Sequence, residues 1–159
     1  MPISLKLDDV VFDFKASNVT DDALADLILM SGWLAGIEPH SNAVENNSSR
    51  CVHFWREPKW NSLVLDAEPN KPSVTVSYFH EHKSRVPLSP TPDDLLLLTP
   101  HFIGRGHRIQ LAGMIGQAVE NMLRTTPMYD YLVHWGHHDS LLAFGVLRKV
   151  LRTSVAPKN

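Results

Sequence analysis

Apolar residues fall at Ile3, Leu5 and Leu7, and again at Val10, Phe12 and Phe14, with polar positions between them. That alternation is the signature of a half-buried strand, and Asp8 with Asp9 predicts a kink or turn inside it. From Leu24 the period lengthens: Leu24, Leu27, Ile28, Ser31, Leu34 and Ala35 share one side of a helix. Asn18 or Thr20 is placed to cap its first N–H groups, and Asp21 and Asp22 complement the positive end of its dipole. Gly36 is placed to stop the helix in the left-handed conformation.

The polar stretch 38–50 then predicts an exposed, flexible loop. Three strand patterns follow, at 51–57, 60–68 and 72–83. They are separated by Pro58 with Lys59 and by Pro69 to Pro72, at lengths that suit antiparallel hairpins and hence a meander. Pro87, Pro90, Pro92 and Pro100 mark a connector with one anchored helical turn around "DDLLLL".

Two helical patterns complete the chain. The segment 106–124 confines polar residues to a narrow stripe of Gln110, Gln117, Asn121 and Arg124, so most of that helix is expected to be buried. Ala112, Gly113 and Gly116 leave a shallow place on it where a second helix can pack closely. The segment "SLLAFGVLRKVLR" starts after Asp139 or at Ser140 as a cap and ends with Arg148, Lys149 and Arg152 near the negative end of its dipole. The tail 154–159 is expected to be flexible. The order is β-α-β-β-β-α-α, an α+β fold in which an antiparallel meander is covered by helices on one face.

Composition narrows the function classes. The 159 residues, 43% hydrophobic and 20% charged, suit a single globular domain over 1–159 with a real core. A net charge of −2 supplies no global field for nucleic acid, which is not expected as a partner. The longest apolar runs, such as Leu95 to Leu98, fall far short of the roughly 18 residues a membrane helix needs. Cys51, the single cysteine, excludes an intrachain disulfide and a multi-cysteine zinc cluster. The first residues lack both a basic leader and a long apolar segment, so a cytoplasmic location is expected.

Histidine is the main chemical clue, with nine along the chain. In "SYFHEHK", strand alternation puts His80 and His82 on one face, about 7 Å apart, from where two imidazoles can converge on one ion. In "HWGHHD", His134 and His137 or His138 have ligand-compatible helical spacing, although Asp139 as a helix cap explains the same segment without metal. A site of His80, His82, His134 and His138 would hold zinc or another divalent transition metal, with Glu81 or Asp139 as base, and would make the chain a hydrolase or lyase.

Other chemistry is thinner. Gly104, Arg105, Gly106 and Arg108 form a glycine-rich turn before a helix, a place where backbone N–H groups can hold an anion. It lacks both the G-x-G-x-x-G spacing and a Walker lysine. Cys51 and His53 share a strand face, yet no activating motif surrounds the thiol, and no serine lies in G-x-S-x-G. Phe54, Trp55, Arg56 and Trp60 gather large rings and a guanidinium around one hairpin, a composition typical of protein interfaces. These features together suggest a protein-binding module without a cofactor: an inhibitor, a toxin-neutralising immunity protein or an assembly adaptor. The metal enzyme and the anion binder stand as alternatives.

Overall fold

The computed structural model describes residues 2–7, 10–15, 23–37, 48–56, 59–68, 71–82, 95, 98–125 and 140–155. The strands are β1 (Pro2–Leu7), β2 (Val10–Lys15), β3 (Ser49–Arg56), β4 (Lys59–Asp66), β5 (Ser73–His82) and β6 (Phe102–His107). The helices are α1 (Ala23–Leu34), α2 (Arg108–Thr125) and α3 (Ser140–Val155).

The expected α+β class and the antiparallel meander are both present. β3, β4, β5 and β6 form a four-stranded sheet in sequence order, and every neighbouring pair is antiparallel. The alternating runs on either side of Asp8 and Asp9 form a separate hairpin, with Pro2 opposite Lys15 and Leu7 opposite Val10. β3 begins at Ser49, so the last two positions of the expected loop 38–50 are strand, and 38–47 lie outside the described residues. Likewise α3 runs on to Val155, into the segment expected as a tail.

Strand alternation divides the sheet into two unlike faces. Val52, Phe54, Leu63, Leu65, Val74, Val76 and Tyr78 face the helices and share one core with Leu24 and Ile28 of α1, Ile115 and Val119 of α2, and Val146 and Val150 of α3. On the far face a smaller cluster joins Val64 and Phe79 to Leu95, with Cys51 against it. The anchored turn in the connector is this one: Leu95 is buried, and Leu98 N donates to Leu95 O at 3.0 Å.

The distribution of burial between helices differs from the expectation. α1 is the buried helix, with only Asp26 exposed and Leu29 half-buried, because its side chains are apolar or small around its whole circumference. α2 is half-exposed: Gln110, Gln117, Asn121 and Arg124 face out as the stripe predicts, but Ile109 and Met114 are exposed beside them. The close packing expected at Gly116 is present, since a Cβ there would lie 3.2 Å from Val150 of α3. A second close approach, at Gly32 of α1, has no signal in the sequence; a Cβ on it would overlap Val146 of α3.

The end of α1 ties the layers together. Gly36 has φ 71°, Gly36 N donates to Trp33 O at 3.1 Å, and Ile37 N donates to Gly32 O at 2.8 Å, the paired bonds of a Schellman stop. Arg108, at the start of α2, adds a donor to the same carbonyl end, Nη2 to Trp33 O at 3.2 Å. The Arg50 and Arg108 guanidinium carbons each lie 5.4 Å from the centroid of the Trp33 ring, so one indole links β3, α1 and α2.

Candidate functional site

The segment expected to be a glycine-rich turn is the edge strand β6. Its residues alternate between half-buried Phe102, Gly104 and Gly106 and exposed Ile103, Arg105 and His107. Arg108 N donates to Pro72 O at 2.8 Å, one step beyond the Ser73 and His107 pair, and this fixes the phase of the ladder. In an antiparallel pair, bond-exchanging positions alternate with non-exchanging ones. The bonds therefore run between Val74 and Gly106 and between Val76 and Gly104. The main-chain N–H and C=O groups of Ile103, Arg105 and His107 point the other way, to the outer edge of the sheet, where no described strand pairs with them.

Beside that edge lies a cleft of about 190 Å³ between β6 and the first turns of α2, lined by Phe102, Gly104, Gly106, Gln110, Leu111 and Met114 among others. The two glycines open it. The Phe102 ring folds back over Gly104, where a Cβ would come within 2.6 Å of it, whereas nothing lies closer than Val74, at 4.0 Å, to a Cβ on Gly106. Exposed Met114 lies at the cleft wall, and Ile103, on the far face of the same strand, is 63% exposed.

The same arrangement places the four residues of the anion reading. Gly104 and Gly106 spend their main-chain groups on β5, so they form no cradle before the helix. Arg105 points to the exposed far face, while Arg108 lies over Trp33 on the helix side. The four residues do not converge.

The aromatic hairpin is likewise rearranged. Phe54 is fully buried in the helix-side core, because its position on β3 faces the helices. Trp60 is 4% exposed on the other face, with its ring edge-on to His53 at 6.1 Å. Neither presents surface to a partner. Trp55 and Arg56 belong to β3, but their side chains lie outside the described residues.

Among the histidines, His80 is exposed, with Nδ1 3.3 Å from the Tyr78 hydroxyl. Its ring neighbour is His101, at 5.7 Å between centroids. The sequence offers no hint of this pair. His101 arrives because β5 and β6 are paired and His101 N donates to Tyr78 O at 2.7 Å. The side chain of His82 and the whole of His134 and His138 lie outside the described residues, and among the described residues no three His, Cys, Asp or Glu side chains gather as a metal site.

The expected shared face of Cys51 and His53 is present, with Sγ 3.7 Å from Nδ1. The thiol is pushed up to about 12, first by burial and then by the charges of Asp26 and Asp66, so it stays protonated and unreactive. Ser62 Oγ lies 2.7 Å from His53 Nδ1, but Ser62 is sealed from solvent, so this pair braces β3 against β4 rather than meeting a substrate. Among the described residues no helix is long and apolar enough to cross a membrane. Comparison with known protein families, with curated proteins and with solved structures finds no match to this chain.

Proposed function

We propose that the chain is a protein-binding module that acts by direct contact, taking an extended segment of its partner as an additional strand on β6. One observation carries this reading: Ile103, Arg105 and His107 turn their main-chain groups outward beside an open cleft. Strand addition uses such an edge, with main-chain bonds supplying affinity and alternate side chains supplying selectivity. Natural proteins usually cover or blunt their edges, and a six-residue edge strand with an exposed isoleucine is only partly protected by its arginine. An inhibitor, an immunity protein or an assembly adaptor would each use a surface of this kind.

The test is a proline placed where only the outer edge is lost. Arg105→Pro removes an outward N–H and leaves the bonds of Gly104 and Gly106 to β5 in place, as edge positions tolerate. A partner that co-purifies with the tagged wild-type chain is expected to be lost from this variant, while its circular dichroism and melting stay close to wild type. Full retention of that partner by a folded Arg105→Pro chain contradicts the reading.

The metal-dependent hydrolase or lyase is a second reading, favoured by His101 lying beside His80. The Tyr78 hydroxyl lies 3.3 Å from Nδ1 of His80, the kind of second-shell partner that orients metal-binding imidazoles. Elemental analysis of untagged protein distinguishes the two: near one transition-metal ion per chain, lost in His80→Ala and in His101→Ala, would put the enzyme first.

A further inference from the structure

Resting on the strand-addition reading, we infer that the segment β6 accepts is acidic on the face it shares with Arg105 and carries a large apolar side chain, on its other face, against Gly106. Arg105 lies on the far face of the sheet. Across the register its nearest acidic residue in the sheet is Asp66, two strands away with Thr75 between them. The backbones there are about 10 Å apart, twice the spacing to a neighbouring strand, and Asp66 and Arg105 line one hollow. Glu68, in the same hollow, is already paired with Lys71. A strand added outside β6 would bring its own side chain to about 5 Å from Arg105, which makes the added strand the closest available counter-charge.

The opposite face sets the second requirement. Successive residues of the added strand alternate faces, so the neighbour of the residue opposite Arg105 faces the cleft beside Gly104 or Gly106. Gly104 is already covered by the Phe102 ring, and Gly106 is not. A large apolar side chain there covers the bare glycine backbone and meets Met114 along the cleft wall. The partner pattern is therefore an acidic residue directly adjacent to an aromatic or branched apolar one, within an extended stretch of another protein.

The probes are three short synthetic peptides with identical alternating apolar residues and glutamate, glutamine or lysine at the intervening positions. They are titrated into the full chain and followed by amide chemical shifts. The glutamate peptide is expected to bind about tenfold more tightly than the lysine peptide, with shifts centred on Ile103, Arg105 and His107. Arg105→Glu should reverse that order, and Arg105→Pro should abolish binding of all three. Equal binding of the three peptides, still centred on β6, overturns the acidic preference and leaves the edge reading intact. No shift on β6 with any peptide overturns both. Protection of the same amides that grows with protein concentration alone would identify a second copy of the chain as the occupant, and would also overturn the inference.

Discussion

Val146 of α3 rests directly on Gly32 of α1, at a separation that admits no side chain on the glycine. Helix α1 is buried on nearly every side, so it has no solvent into which it can retreat. Gly32→Ala gains up to about 1 kcal/mol in helix propensity but forces the helices apart. The expected net effect is a loss of about 1–3 kcal/mol, read as a lower midpoint in urea.

The same logic ranks two other glycines. Gly116→Ala places its methyl group 3.2 Å from Val150 and should cost less than the change at Gly32. Gly106→Ala meets only Val74, at 4.0 Å, and should be neutral or stabilising by up to about 1 kcal/mol because a strand glycine forfeits chain entropy. Thermal melting of the three variants should place them in that order.

Arg108 makes two opposing contributions. It bonds the Trp33 carbonyl and lies over the Trp33 ring, yet its Nε is buried with no hydrogen-bond partner among the described residues. Arg108→Met keeps much of the packing and removes the orphan donor, whereas Arg108→Ala loses the packing as well. Arg108→Met is expected to be the more stable of the two by roughly 1 kcal/mol, measured by denaturant unfolding.

Cys51 gives the chain a defined alkaline sensitivity. Burial raises its thiol from 9.0 to about 12, with Asp26 and Asp66 adding to the effect. Above pH 9 the unfolded chain releases this proton and the folded chain keeps it. The folded state then binds more protons, and stability falls as pH rises toward 12, by at most about 1.4 kcal/mol per pH unit. Cys51→Val should remove that part of the slope, seen as the difference between the two unfolding profiles from pH 9 upward. At pH 8 native Cys51 should react with a thiol alkylator far more slowly than the unfolded chain.

How much of this was legible differs by element. The meander was readable because Val52, Phe54, Leu63, Leu65, Val74 and Val76 keep a strict alternation. β6 was not, because Gly104 and Gly106 occupy the inward positions where alternation would show and look locally like a turn. Its strand character comes from pairing with β5, a non-local interaction. His101 was missed for the same reason, since only that pairing brings it beside His80. Phe54 and Trp60 are buried, which the composition of the hairpin does not show, because residue type alone does not separate an interface ring from a core ring. The expected burial of α2 overcounted Ile109 and Met114, which are exposed, Met114 along the cleft.

Amide hydrogen exchange along β6 tests the central claim most directly. In the free chain, Gly104 and Gly106 should be protected by β5, while Ile103, Arg105 and His107 exchange quickly. Addition of the glutamate peptide should slow the latter three and leave the glycines unchanged. Protection of Ile103, Arg105 and His107 already present in dilute free protein would show the edge to be closed, and would contradict the account.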